Sequence, residues 1–367
     1  MEIRIPVYQP SLTGNEKKYV NECLDSTWIS SKGKFISLFE QRFADHINVK
    51  YAASVSNGTV AIHLALVVLG IGPGDEVIVP TLTYIASVNA ITYTGAKAVF
   101  VDSLADTWQM DPHDVAKKIT INTKAIMAVH LYGSACDMDA LKELADKHSI
   151  FLIEDCAEAI GTEYKGKHVG TFGDIAAFSF FGNKTITTGE GGMVVSNNQT
   201  IYDRSMHYKG QGLSKHRFYW HDVVGYNYRM TNICAAIGLA QLEQIDGFVK
   251  RKCEIAALYQ QNLAGLPVAF HQAAAGVKHS YWMCSILVDR PVTRDPLMQF
   301  LGDKGIETRP LFYPVHTMPM YAQKFQKHPI AENLGWRGIN LPSYPGLTND
   351  NVLEVCSTIK LFFEQGN

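Results

Sequence analysis

The sequence carries no excess of charge of either sign. Its 33 lysines and arginines stand against 35 acidic residues in 367 positions, a formal net charge of −2. A chain so balanced lacks the electrostatic footprint of a nucleic-acid or anionic-membrane binder, and a small ligand is expected. Long hydrophobic runs are missing too: the longest, 60–71, is interrupted by His63 and is about half of what spans a bilayer. No basic segment followed by an apolar core opens the chain, so no signal peptide is read and a cytoplasmic location is expected. The seven cysteines are an odd number, no two closer than 19 residues. That spacing excludes the usual zinc pairs and fits reduced thiols. Without a secretory route, the acceptor patterns at Asn57 and Asn198 are coincidental. Neither Gly-x-Gly-x-x-Gly nor a P-loop occurs, which removes the common dinucleotide and nucleoside-triphosphate fingerprints.

What is present is alternation. From 50 to about 200, strand signals at 76–79, 98–102, 125–130, 151–154, 175–180 and 193–196 interleave with helical stretches at 59–69, 85–93, 138–148 and 201–208. This is the pattern of an α/β domain with a mostly parallel sheet, and the nearly continuous apolarity of the first four strands fits cover on both faces. A helical stretch at 232–263 carries few breakers. After it a strand at 281–288 and helices near 295–304 and 349–364 suggest a smaller α+β domain, giving expected domains of 1–250 and 251–367.

Four places along this frame carry chemistry. Lys184 follows an apolar strand, 174–181, and precedes the glycine-rich return Gly189-Glu-Gly-Gly192. An amine in a confined, partly desolvated site loses preference for its ammonium form and becomes a nucleophile for an aldehyde. Ser56-Asn-Gly58-Thr59 opens a helix whose free amides suit phosphate, although a plain capped helix reads the same way. Asp155 ends the strand 151–154, where ligands of open α/β sheets bind, and it could hold a protonated ring nitrogen or cap a helix. Glu158 lies one turn on. Tyr84, in Thr81-Leu-Thr-Tyr84, also follows a strand and could stack on a flat ligand or fill the core. A Schiff-base lysine, a phosphate-binding helix start, a carboxylate for a pyridine nitrogen and an aromatic stacker are what pyridoxal 5′-phosphate (PLP) requires.

Together with Phe178-Ser179-Phe and Gly225-Tyr-Asn227-Tyr-Arg-Met230, these blocks resemble the sugar aminotransferases of the DegT/DnrJ/EryC1/StrS family, in the family's order and over nearly the whole chain. The resemblance implies the aspartate-aminotransferase fold (PLP-dependent transferase fold type I). It makes Lys184 the lysine bonded to PLP and Asp155 the partner of its ring nitrogen. Gly58, Thr59 and Ser179 would hold the phosphate, Tyr84 would stack on the ring, and Glu158 would sit near the phenolic oxygen, where many relatives have His or Gln. Asn227 would reach the phosphate of a neighbouring subunit, which implies a homodimer, with tetramers open. A branch of the fold with histidine in place of the lysine dehydrates sugars instead; Lys184 argues against it.

The opening block, residues 1–10, and Thr308-Arg-Pro-Leu-Phe-Tyr-Pro-Val-His316 point within the family to a GDP-linked 4-keto-6-deoxyhexose as acceptor. L-Glutamate would be the donor and 2-oxoglutarate the product, in deoxyaminosugar and O-antigen biosynthesis. Arg309, Tyr313 and His316 are expected near the sugar nucleotide, or else form a strand end with a Pro-rich turn. The stretch 208–220, flanked by His207 and containing Lys209, His216 and Arg217, lacks periodicity and reads as a mobile lid. No metal is expected, because the histidines have no carboxylate-supported ligand spacing. Two other readings remain: amination of a UDP- or dTDP-linked keto-hexose, and a PLP-binding regulator without turnover.

Overall fold

The computed structural model describes residues 3–323 and 325–366; Met1, Glu2, Lys324 and Asn367, hence the first two positions of the opening block, lie outside the described residues. Helices α1 (Glu16–Asp25) and α2 (Lys34–Ile47) lead into β1 (Tyr51–Val55), α3 (Gly58–Val68), β2 (Glu76–Pro80), α4 (Ile85–Tyr93) and β3 (Lys97–Val101). Next come α5 (Pro112–Lys118), β4 (Thr123–Val129), α6 (Met138–His148), β5 (Phe151–Asp155), β6 (Glu163–Tyr164), β7 (Lys167–His168), β8 (Ile175–Ser179), β9 (Gly192–Ser196) and α7 (Gln199–Tyr208). The remainder holds α8 (Asn232–Leu242), α9 (Ile245–Asn262), β10 (Val268–Phe270), β11 (Val277–Lys278), β12 (Cys284–Val288), α10 (Pro291–Asp303), β13 (Arg309–Pro310), α11 (Pro329–Arg337), β14 (Gly338–Leu341) and α12 (Asn349–Glu364).

Seven strands form the main sheet in the order β1-β9-β8-β5-β4-β2-β3, with only β9 running against the rest. Side chains of a strand alternate between faces, and both faces here are covered. On β4, Ile126 and Ala128 enter one core, with residues of α2, α6 and α8, while Ala125, Met127 and Val129 enter the other, with α3 and α4. A second, antiparallel sheet, β10-β12-β14-β13, packs with α9, α10 and α12 around a third core that also takes Ile5 from the opening segment. Residue 250 falls inside α9, which gives Phe248 and Val249 to the main sheet's core and Ile255, Ala256 and Tyr259 to the second sheet's core.

The expected fold class is the one observed, with several corrections of detail. The stretch 232–263 is two helices, because Gln244 leaves helical geometry and turns its amide to Glu16 Oε1 (3.1 Å) and back to Ala240 O (3.4 Å). The strand expected from 281 begins at Cys284, since Tyr281 has a positive φ of 50° that strand pairing does not accept. The helix expected from 295 starts at Pro291, and Pro296 lies inside it rather than ending it. Helices α1, α2, α5 and α11 and strands β1 and β14 were not among the expected elements.

One carboxylate ties the sheet to the segment that leads into β8. Glu154, on β5 and fully buried, accepts from the backbone amides of Gly170 (2.7 Å), Phe172 (2.8 Å) and Gly173 (2.7 Å), and pairs with His130 Nε2 at 3.1 Å. Removing such an acceptor strands several buried donors at about 1–3 kcal/mol each. Glu154→Ala should therefore lower unfolding free energy by at least about 3 kcal/mol. The midpoint of urea denaturation, compared with that of Glu154→Gln, measures it.

Candidate active site

A cavity of about 470 Å³ opens beyond the carboxyl ends of β2, β5 and β8. Asn57, Gly58, Thr59, Tyr84, Ser87, Asp155, Glu158, Ser179, Lys184, Trp282 and Phe312 all line it. Segments at the ends of four strands of the main sheet, β1, β2, β5 and β8, and two beside strands of the second sheet thus meet at one place, as expected where strand ends diverge in an α/β sheet.

Lys184 arrives on the loop after β8. Its side chain is 12% exposed, and its Nζ lies 3.7 Å from Glu158 Oε1 and 3.9 Å from the centre of the Trp282 ring. Burial lowers the pKa of this amine, with Glu158 and Asp155 opposing the shift. The same burial raises Glu158 to about 7, although Lys184 and the backbone amide of Tyr132, donating to Oε2 at 2.9 Å, both favour its ionised form. Tyr132 makes that bond from a left-handed backbone, φ 54°. Burial thus moves the two groups toward each other, the amine downward and the carboxyl upward, across a contact of 3.7 Å.

Asp155 ends β5 and is buried, and desolvation raises its pKa. Its Oδ2 accepts from Ser87 Oγ (2.7 Å) and its Oδ1 from the Ala157 amide (3.1 Å), with Thr83 Oγ1 supporting Ser87 at 3.0 Å. The carboxylate is therefore fixed in direction while lacking a close cation of its own.

Across the opening of α3, the amide of Val60 goes to Asn57 Oδ1 and that of Ala61 to Asn57 O. Among the described residues this leaves the amides of Gly58 and Thr59 free at the positive end of the helix, beside the hydroxyls of Thr59 and Ser179. A Cβ on Gly58 would lie 2.6 Å from Ser179 Cβ, and one on Gly192 would lie 2.5 Å from Asn57 O. The glycines of this region let the helix start approach β8 and β9; close approach to a ligand is not what they serve first. Tyr84 is 55% exposed and its ring stands 5.5 Å from that of Phe312.

Other expected site residues lie elsewhere. Asn227 is exposed, bridges to Gly210 and does not line the cavity. The structure does not bring Arg309, Tyr313 and His316 to the cavity either. Arg309 is exposed and pairs with Glu307, Tyr313 accepts from Arg294 at 3.3 Å, and His316 is buried between Thr81 Oγ1 (2.7 Å) and Glu332 Oε1 (3.2 Å). Of residues 309–316, Phe312 alone lines the cavity, from the irregular segment that follows β13. Lys209 is not part of a lid: it is buried, with Nζ bonded to Glu40 and Ser54 O at 2.9 Å each. The segment beyond it forms an irregular hairpin through Leu213 and His221 that leaves Phe218 96% exposed. His130, Glu154 and Cys156 are the one grouping of metal-type ligand atoms among the described residues, and Glu154 is already engaged by four donors. Ser87, Trp282 and Phe312 were missed; Ser87 was within reach as the fourth residue after Thr83, in the first turn of the helix that opens at the same site.

The model of the DegT/DnrJ/EryC1/StrS aminotransferase family matches residues 10–360, and the chain belongs to that family. It is a PLP-dependent aminotransferase acting on a sugar substrate with an amino donor. Among curated relatives, the GDP-perosamine synthase of Escherichia coli O157:H7 is 67% identical over 359 residues, covering 98% of each chain, and that of Vibrio cholerae is 56% identical over 98% of this chain and 99% of its own. Among solved structures, S. venezuelae DesV in complex with a ketimine intermediate is 35% identical with a TM-score of 0.90, covering 95% of this chain and 94% of its own.

The residues present fit the cofactor. A buried Asp155 without a cation, two free amides with two hydroxyls, an exposed aromatic face and a desolvated amine all open into one cavity. Glu158 yields a check on the electrostatics. A carboxyl raised from 4.5 to about 7 holds more protons folded than unfolded between those values, so it costs stability as pH rises through that window. In cofactor-free protein, Glu158→Gln should gain melting temperature over the parent chain at pH 8 and lose that advantage at pH 5.

Proposed function

We propose that this chain transfers the amino group of L-glutamate to C4 of GDP-4-keto-6-deoxy-D-mannose, forming GDP-perosamine and 2-oxoglutarate. The observation that carries the reading is the desolvated Lys184 amine facing Asp155 and Glu158 in a cavity that also holds the free start of α3. The identity of 67% with a GDP-perosamine synthase over 98% of both chains supports the choice of acceptor.

PLP, when bound, supplies a carbonyl that takes up amino groups and a ring that accepts electrons. Gly58, Thr59 and Ser179 would hold its phosphate through two amides and two hydroxyls, and Tyr84 would lie against its ring. Asp155, fixed by Ser87 and Ala157, would keep the ring nitrogen protonated, because a buried carboxylate is stabilised by a cationic N–H placed against it. Lys184 binds the cofactor in the resting enzyme. Burial weakens its amine's preference for the ammonium form, so with cofactor and donor bound this amine would take the proton from the donor's Cα and return it in the second half of the cycle. Glu158 accommodates the spare proton beside it, with Oε2 pinned by Tyr132 and Oε1 turned to the amine. Asn227, exposed and away from its own cavity, serves the cavity of a second copy, so the working unit is a homodimer.

Lys184→Ala should abolish both turnover and the absorbance of the lysine-bound cofactor; a variant retaining them refutes the assignment. Asp155→Asn should keep bound cofactor while losing about 10²-fold or more in kcat, since an electrostatic partner of the reacting system is removed. A panel of GDP-, UDP- and dTDP-linked 4-keto-6-deoxyhexoses should show kcat/KM highest for the GDP sugar. Preference for a UDP or dTDP sugar would move the chain to another acceptor, and absence of cofactor amination by glutamate would leave a binding protein.

A further inference from the structure

The loop that carries Lys184 is fastened by donors from outside the main sheet. Tyr8 Oη donates to the main-chain carbonyl of Lys184, and Trp282 Nε1 donates to that of Asn183 at 2.7 Å. Both donors belong to segments that pack with the second sheet. Trp282 stands just before β12, and Tyr8 lies on an opening strap whose Ile5 bridges Ile306 in parallel. The strap is held along its length: the Arg4 and Ile5 amides bond Gly305 O (2.9 and 3.0 Å), Glu307 N bonds Ile5 O (2.9 Å), and Val7 N bonds Glu307 Oε2 (3.0 Å). Past Tyr8 it is caught again, where Gln241 Nε2 bonds Ser11 O at 2.7 Å. Beneath the phenol, the buried Lys252 places Nζ 5.5 Å from the ring centre and bonds Ser343 O.

These bonds matter because of where they act. The base of the loop between β8 and β9 is closed by its own groups, Phe180 N to Gly191 O (2.8 Å), Thr188 N to Phe180 O (2.9 Å) and Gly189 N to Thr187 Oγ1 (2.9 Å), whereas at its tip the Lys184 amide makes a turn contact with Phe181 O (2.9 Å) and the carbonyls of Asn183 and Lys184 are taken by Trp282 and Tyr8. A carbonyl held from the far side sets where the Cα of Lys184 sits, and so where Nζ falls between Glu158 and Trp282.

We propose that Tyr8 is a positioning residue for Lys184, its hydroxyl anchoring the lysine's main chain to the strap of the second sheet, with Trp282 anchoring the preceding residue. The inference rests on the reading of Lys184 given above. Burial pushes the Tyr8 phenol up, so it remains a donor at every working pH. The Trp282 indole has a second part, since its ring face lies under Nζ; the Tyr8 hydroxyl meets the lysine loop through the main-chain carbonyl of Lys184.

Tyr8→Phe deletes one oxygen and keeps the packed ring, so the fold is retained. Loaded with PLP, this variant should keep KM within about twofold and lose roughly ten- to hundredfold in kcat, the expected cost of a small misplacement of a reacting group. The absorbance of the lysine-bound cofactor, titrated against pH without substrate, should shift upward by at least about 0.5 pH unit as the loop loosens and the amine gains solvent. Trp282→Phe, which keeps a ring but loses the donor, should move the same titration in the same direction. A Tyr8→Phe enzyme with the parent kcat and an unmoved titration overturns the proposal. So does one whose KM and melting temperature change while the titration stays, because that is packing alone. Lys184→Ala run alongside separates the two levels: retention of the lysine-bound absorbance there removes the assignment of Lys184 itself, whereas its loss with a silent Tyr8→Phe removes only the anchor.

Discussion

Desolvation of three ionisable groups in one cavity is the constraint around which this molecule is organised. Asp155, Glu158 and Lys184 would each be cheaper in water, and a lone buried charge costs far more than a surface ion pair returns. The surroundings meet that cost with fixed dipoles. Ser87 and the Ala157 amide face Asp155, the Tyr132 amide faces Glu158, and the Trp282 ring lies under the lysine. Unlike mobile water, these partners stay aligned when protons move, which is what a site that handles protons in both directions needs.

Two neighbouring acids on one strand show how the chain separates support from chemistry. The pleat sends Glu154 and Asp155 to opposite faces. Glu154 is saturated by four donors and holds the approach to β8, while Asp155 keeps its direction from two donors and points at the cavity. The difference lies in the number of donors, not in residue type. A similar division separates Gly58, needed so that a helix can touch Ser179, from the amides that it leaves open.

Much of this was legible in the sequence because it is local. The strands of the main sheet are apolar runs of the right length, and β2, β4 and β5 are buried almost throughout. Lys184, Asp155, Glu158, Gly58, Thr59, Tyr84 and Ser179 each follow a strand end or open a helix, and all seven line one cavity. What failed was long-range. Nothing near Trp282 or Phe312 in the chain tells that they reach the same cavity, as they arrive on the second sheet. Arg309, Tyr313 and His316 are polar residues flanking Phe312, and their partners, Glu307, Arg294 and Glu332, became visible only with the fold. The break at Gln244 escaped notice because glutamine is a good helix former; its side chain's pull toward Glu16, over two hundred residues away in sequence, is a tertiary effect.

The helix α9 gives its first turns to one core and its later turns to another. Where many two-part enzymes have a flexible connector, this one has a rod, and no backbone in it is free to act as a hinge without breaking helical hydrogen bonds. The rod ties the two cores together along one continuous run of helical hydrogen bonds, so the part of the cavity wall that the second sheet brings, Trp282 and Phe312, takes its place when both cores fold.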